Sequence, residues 1–249
     1  MLKISIVTVV LNNKDYIEDC IQSVISQTYP FVEYIIMDGG STDGTLDVIK
    51  KYREDIAIFI SESDEGIYDA MNKGIKAATG DIIGILNSDD VYAGDNCLAT
   101  VAACFAENNV DSCFADLVYV DADNIDKQVR YWQAGDYSKN NFKRGWMPPH
   151  PTFFVRRSVY EEYGLFNLNF PLTADYELML RFLYKNNVST SYIPMCLVKM
   201  RSGGKCHPGL VNTFNNMKEN YRAWKVNGLK ANPLTFLLKP LSKTIQYVK

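Results

Sequence analysis

The chain has 249 residues, 47% hydrophobic and 22% charged, enough for one large α/β domain or two small ones. Its net charge of −3 and pI near 5.5 give no bulk electrostatic case for nucleic acid. No uninterrupted apolar run reaches the length of a membrane span, and six scattered cysteines without a CxxC pair exclude a disulfide framework or a cysteine zinc site.

Short β-rich runs alternate with helical patterns through the first half. "ISIVTVV" (4–10) reads as a buried strand. "YIEDCIQSVISQ" (16–27) sets Ile17, Cys20, Ile21, Val24 and Ile25 on one helical stripe. "VEYIIM" (32–37) is a second strand and "TLDVIKKYR" (45–53) a second helix, opened by "GGSTDG", in which Ser41 or Asp43 is expected to be the N-cap. "IAIFIS" (56–61), "GIYDAMNKGIKAAT" (66–79) and "DIIGIL" (81–86) continue the alternation, and a helix follows over roughly 95–107. This βα order predicts a parallel, doubly wound sheet whose ligands bind beyond the carboxyl ends of the strands.

The pattern changes from about residue 112. "CFADLVYVDAD" and "QVRYWQA" read as antiparallel strands, followed by the proline-rich "RGWMPPHPTFFVRR". "TADYELMLRFLYKN" is a helix with Leu178, Met179, Phe182 and Leu183 inward, "SYIPMCLVKMRSGGKCHPG" is strand and loop, and "LVNTFNNMKENYRAWKVNG" is a helix with a long polar face. No repeat or low-complexity linker interrupts the chain, so the second half is expected to pack on the first sheet.

Several acids fall at strand ends. "ILNSDD" closes the fourth strand with Asn87, Ser88, Asp89 and Asp90, and no residue near in sequence neutralises the two adjacent carboxylates. A hard divalent cation takes such oxygens together with substrate phosphates; a polar turn is the alternative. Asp38 ends the second strand and can accept a hydrogen bond from a base edge such as uracil N3–H. Glycines beside it let backbone approach a flat ligand. Asp64 is either a ligand contact or a cap of the third helix. Tyr68, Asn72 and Lys73 share the first two turns of that helix, with Lys73 either facing a diphosphate or solvated. The place after the first strand reads "LNNKDY", which is neither a GxGxxG nor a Walker A loop.

The ordered set "SIVTVVLN", "IIMDGGSTDGT" and "SDEGIYDAMNKGIKAATGDIIGILNSDD", over residues 4 to 90, resembles family 2 glycosyltransferases of the GT-A fold. It looks most like bacterial members that build capsule, O-antigen and exopolysaccharide. "HPTFFVRRSVYEEYGLFN" and "LTADYELMLRF" extend the resemblance to about residue 183, and the tail beyond 205 carries none.

The resemblance implies a Rossmann-like, mostly parallel sheet flanked by helices, with an acceptor-side region and a helical tail. It divides the chain into a nucleotide-sugar half (1–110), an acceptor-binding and catalytic half (111–205) and a basic tail (206–249). It implies an inverting transferase that holds a UDP-sugar with Mg2+ or Mn2+ and passes the sugar to a glycan or lipid-linked acceptor in surface polysaccharide synthesis. By similarity Val9, Asp38, Asp64, Tyr68, Asn72, Lys73, Asn87, Ser88 and Asp89 lie on the donor side. Asp89 and Asp90 form the DxD-type metal site, with Asn87 standing where an acid is common.

Asp175 matches the family's base; alone it is also a first-turn acid favouring the helix dipole. Glu177 is expected to pair with Arg181. His150 matches a position facing the acceptor. Trp146 offers an aromatic face to a sugar, or packs in the core. His207 is a third metal ligand or an ordinary loop residue. The tail, rich in lysine and leucine, either lies on an anionic membrane leaflet or packs on the domain. A sugar-phosphate nucleotidyltransferase and a non-catalytic nucleotide-sugar scaffold are the alternatives. The expected location is cytoplasmic, in solution or peripheral on the inner membrane.

Overall fold

The computed structural model of the protein describes residues 1–203 and 210–230. His207 and the basic stretch 231–249 lie outside the described residues.

The first half follows the expected alternation: β1 (Ile4–Val10), α1 (Ile17–Ile25), β2 (Val32–Asp38), α2 (Thr45–Lys50), β3 (Ile58–Ser61), α3 (Ile67–Ala77), β4 (Ile82–Asn87) and, after a two-residue strand β5 (Val91–Tyr92), α4 (Cys97–Asn108). The second half comprises β6 (Ser112–Val120), β7 (Gln128–Trp132), α5 (Lys139–Lys143), β8 (Phe154–Arg156), α6 (Arg157–Tyr163), α7 (Ala174–Met179), β9 (Thr190–Arg201) and α8 (Leu210–Val226). A 3-10 turn over His150–Thr152 leads to β8, and α7 runs on as a π-helical turn over Leu180–Lys185.

The nine strands of the described residues join one sheet in the order β3-β2-β1-β4-β8-β6-β9-β5, with β7 paired to β6. β1, β2, β3 and β4 are mutually parallel, as crossover helices require. Side chains alternate across this half. Val7, Val9, Ile35, Met37, Ile83 and Ile85 pack into the core that holds α3, α6 and α7. Ile4, Ile6, Val10, Ile36, Ile82 and Leu86 face α1 and α4. Burial on both faces turns these strands into continuous apolar runs.

The second half departs from the sequence pattern in part. β7 is antiparallel to β6 as expected, and β9 runs parallel to β6 on its other side. The two short strands β5 and β8 are absent from the sequence reading; β8 is inserted between β4 and β6, antiparallel to both. The 174–186 helix is not uniform but widens to the π turn, though Leu178, Met179, Phe182 and Leu183 are buried as expected. Gly84 on β4 admits β8, since a Cβ there would stand 2.4 Å from Phe154 Cε1. Among the described residues no helix is long and apolar enough to cross a membrane.

Candidate active site

The carboxyl ends of β1, β2, β3 and β4 form one rim, fixed by register: Val10 lies beside Asp38, Asp38 beside Ser61, and Val9 beside Asn87. Val9 itself is buried in the core. The loops after β1 and β2 are zipped together. Asn12, with φ 51°, accepts the Thr42 N–H at 2.8 Å and donates its own N–H to Ser41 Oγ at 2.8 Å. Asn13 N–H bonds Thr45 Oγ1 at 2.9 Å, and its side-chain amide reaches Ser88 Oγ at 2.7 Å. Neither expected N-cap holds: Gly44 occupies that position. Ser41 serves Asn12, and Asp43 Oδ1 takes the N–H and hydroxyl of Thr45 from outside the helix.

Asp38 is buried. Its Oδ2 accepts the N–H groups of Gly40 and Ser41, both at 3.0 Å, and the Ser61 hydroxyl at 2.7 Å, while Oδ1 is buried without a partner. Asp64 meets it over Gly39. A Cβ on Gly39 would lie 2.5 Å from Asp64 Oδ2, and Asp64 Oδ1 accepts the Gly66 N–H at 2.9 Å. The arrangement leaves one unsatisfied anionic oxygen at the strand rim, which a ligand N–H would satisfy.

Two helix residues turn to other work. The Asn72 side chain exchanges two hydrogen bonds with the Phe166 backbone, both 2.9 Å, and so fastens α3 to the loop after α6. Lys73 is held by Glu62 at 2.9 Å, Asp69 at 3.3 Å and the Ser63 carbonyl at 3.2 Å. In this structure the polar atoms of both side chains are engaged by the fold.

At the end of β4, Asp90 is fully buried and receives the Asn87 amide on Oδ2 at 3.4 Å. Asp90 Oδ1 and Asn87 Oδ1 are both buried without a partner. Burial first, and then the Asp89 charge, push the Asp90 carboxyl well above the ordinary carboxylate range, against the opposing pull of Asn87 and Arg201.

Arg201, at the end of β9, is the counter-charge that sequence neighbours did not supply. Its guanidinium donates to the Asp89 carbonyl at 2.9 Å and the Ala122 carbonyl at 3.1 Å, pairs with Asp19, and lies over the Tyr16 ring. An arginine closing the apolar strand "CLVKMR" was the only sequence signal for it.

The orphaned oxygens of Asn87 and Asp90, with the carboxylate of Asp89, are hard donors of the kind Mg2+ and Mn2+ accept. Among the described residues no three His, Cys, Asp or Glu side chains are grouped to hold a metal. The donor set therefore fits a cation that draws its remaining ligands from substrate phosphates and water, as Mg2+ commonly does.

Asp175 faces this rim from the first turn of α7. Its Oδ1 accepts the Tyr68 hydroxyl at 3.1 Å, and its Oδ2 lies 3.7 Å from His150 Nδ1. His150 Nε2 is 3.4 Å from the Asn87 side-chain amide. One imidazole thus spans the interval between the β4 end and Asp175. Burial pushes it below its usual pKa, with Asp175 and Asp89 opposing. A neutral ring with its proton on Nδ1 can donate toward Asp175 and accept from Asn87.

Glu177 is buried and paired with Arg181 as expected, at 3.1 and 3.0 Å, so Asp175 is the acid of this turn that meets the cleft. Trp146 belongs to the packing alternative. Its Nε1 donates to the Ala134 carbonyl at 3.0 Å, and its ring sits among Phe114, Tyr137 and Phe142.

Comparison with known proteins is consistent with this geometry. The family model described as "Glycosyl transferase family 2" matches residues 5–164. A PGL/p-HBAD biosynthesis glycosyltransferase of Mycobacterium bovis is 32% identical over 213 residues, covering 84% of this chain and 79% of that protein. Among solved structures, S. aureus TarS superposes with TM-score 0.66 at 18% identity, over 100% of this chain and 49% of that one. Its 1–349 form in complex with UDP-GlcNAc gives the same score over 91% and 65%. The mannosyltransferase PcManGT from Pyrobaculum calidifontis, solved with GDP-Man and Mn2+, gives 0.63 at 17% identity over 97% and 69%. At these identities the structural likeness speaks to fold, and the fold is that of GT-A glycosyltransferases.

Proposed function

Because the chain belongs to glycosyl transferase family 2 and is a glycosyltransferase, we propose that it transfers a sugar, with inversion, from a UDP-sugar to a hydroxyl of a glycan or lipid-linked acceptor in cell-surface glycan synthesis. The observation that carries this reading is the line of contacts from Asp90 through Asn87 and His150 to Asp175. It sets a cluster of oxygen donors on one side of the cleft and a lone carboxylate on the other. The UDP-GlcNAc complex of TarS and the name of the mycobacterial relative support the donor and product class.

In this reading residues 1–110 hold the donor, residues 111–205 the acceptor, and 206–249 are the basic C-terminal tail. Asp38 Oδ1 accepts the N3–H of the base, with Asp64 closing the rim beside it. Asn87, Asp89 and Asp90 would hold Mg2+ or Mn2+; the Mn2+ in the PcManGT structure supports that choice. A bound cation would supply charge stabilisation to the departing diphosphate.

Asp175 takes the proton of the acceptor hydroxyl as that oxygen attacks the anomeric carbon from the side opposite the leaving group, and the configuration inverts. Tyr68 and His150 keep the Asp175 carboxylate turned to the cleft, and the buried imidazole helps exclude water from it. Asn87 in place of an acid lowers the charge offered to the cation, so modest metal affinity is expected.

The test is a transfer assay with UDP-sugars, with and without Mn2+, on wild type and Asp175→Asn. General-base loss is expected to lower kcat by roughly 100-fold or more, while UDP-sugar still raises the melting temperature of the variant, as a ligand bound only by the native state must. Undiminished transfer by Asp175→Asn, or full activity in EDTA, would remove the proposed base or the proposed metal respectively.

A further inference from the structure

The outward stripe of α8 alternates aromatic rings and cations at helical spacing: Phe214, Lys218, Tyr221 and Lys225. Phe214 is 58% exposed. Lys218 Nζ lies 4.5 Å from the Phe214 ring centre and Lys225 Nζ 4.8 Å from that of Tyr221. The opposite side of the helix buries Asn220, Ala223, Trp224 and Asn227 against the body.

Beside the stripe runs a groove of about 450 Å³ between Pro171–Leu172 and the α8 residues Lys218, Glu219 and Arg222. Leu172 stands exposed along it, at 43%. The acid of this region, Glu219, is turned inward, its Oε2 accepting the Leu172 N–H at 3.1 Å and the Thr173 hydroxyl at 3.0 Å. Glu219, the acid next to Lys218, is thus spent on Leu172 and Thr173, and no acid lies within one turn of Lys225 in the sequence of the helix.

We propose that this face docks on an anionic lipid bilayer. Large exposed apolar side chains mark an interaction surface. Aromatic rings interleaved with lysines suit the headgroup level, where rings enter the boundary, lysine stems lie on apolar material and ammonium groups reach lipid phosphates. Charge along the chain agrees. The protein has 26 basic and 29 acidic residues; six of the basic and none of the acidic ones follow Glu219, which leaves the first 219 residues at −9. An anionic surface therefore attracts this end and repels the rest, which orients the molecule.

The face also adjoins the proposed acceptor side. Leu172 lies three residues before Asp175, and the Tyr68 hydroxyl that bonds Asp175 lies 3.5 Å from the Leu172 carbonyl. An acceptor carried in a leaflet would present its hydroxyl beside the base. That last consequence rests on the proposed function, whereas the docking itself does not.

The test is co-sedimentation of the full chain with phosphatidylcholine vesicles, with and without phosphatidylglycerol. Binding is expected only to the anionic vesicles, weakening as salt is raised. Lys218→Gln with Lys225→Gln should lower the partition coefficient by about 30-fold, roughly fivefold per charge. Lys218→Arg with Lys225→Arg should retain binding, and Phe214→Ser should weaken it at unchanged melting temperature. UDP-sugar turnover in vesicle-free solution should be unchanged in the Gln variant, which separates failure here from failure of the proposed function. Binding that ignores these substitutions but disappears when Lys239, Lys243 and Lys249 are replaced would overturn the proposal. So would binding to neither vesicle, which would leave an acidic protein surface as the partner the stripe fits.

Discussion

At Gly39, a missing methyl group is a functional feature. The Asp64 carboxylate occupies the space a Cβ would need, 2.5 Å away, directly beside Asp38 and its unpartnered oxygen. Gly39→Ala is therefore expected to turn the Asp64 carboxylate aside at little cost in stability, since the atom displaced is the far end of a partly exposed side chain. The UDP-sugar KM should rise several-fold with a smaller change in kcat, measured by initial rates over a donor series. At this scale legibility was uneven. Asp38, Asp89, Asp90 and Asp175 stood out as candidates because each is an acid that closes an apolar run or opens a helix, although a polar turn or a helix dipole asks for the same residues. Arg201 and Asn13 were not, since each acts on a loop far away in sequence, 112 residues off for Arg201 and Asp89, and 75 for Asn13 and Ser88. For Asn72 and Lys73, helical spacing fixed the face they share but not what it meets, which is the Phe166 backbone for one and Glu62 with Asp69 for the other.

The α7 element and its π turn are held by one side chain. The Arg181 guanidinium collects the carbonyls of Tyr163, Gly164 and Leu165 and the carboxylate of Glu177, while Asn227, just after α8, donates to the same carboxylate at 2.9 Å. Loop, helix and tail helix thus share a single buried ion pair. Arg181→Ala would leave Glu177 charged and nearly unpaired inside the core, a loss of about 3–5 kcal/mol that urea denaturation should report. Arg181→Lys should recover little of it, because an ammonium cannot present the planar fork these acceptors require. The first four strands were legible nearly to their ends, since burial on both faces writes them as apolar runs. β5 and β8 were not: strands of two and three residues carry no periodicity and exist only because neighbouring strands pair with them. The parallel course of β9 beside β6 was hidden for a related reason, since a strand's sequence records its burial and not its direction.

Across the whole molecule, the sheet separates chemistry from stability. The rim opposite the cleft closes on Glu33, which accepts Lys3 Nζ and the Ser5 and Thr79 hydroxyls, all at 2.6 Å, and the Thr79 N–H at 2.7 Å. Burial pushes the Glu33 carboxyl up, but these bonds outweigh it and bring the pKa down to about 2. A carboxylate depressed by folding stabilises the native state above its unfolded pKa of about 4.3 and loses that contribution as pH falls toward the folded value. Melting temperature should therefore fall between about pH 5 and pH 2. Glu33→Gln should melt lower at pH 7 and show a flatter acid limb in the same series. Nor are the two halves of the sheet joined broadly. Only two residue pairs bind β8 to β4, and only two bind it to β6. A seam so narrow in hydrogen bonds leaves side-chain packing to bind the halves, and one core does so, running from Val7, Ile35 and Ile85 to Phe114, Val155, Tyr176 and Phe182. His150 lies just upstream of the join, with Asn87 on one flank and Asp175 on the other, so a shift of one half against the other would break the handshake among these three.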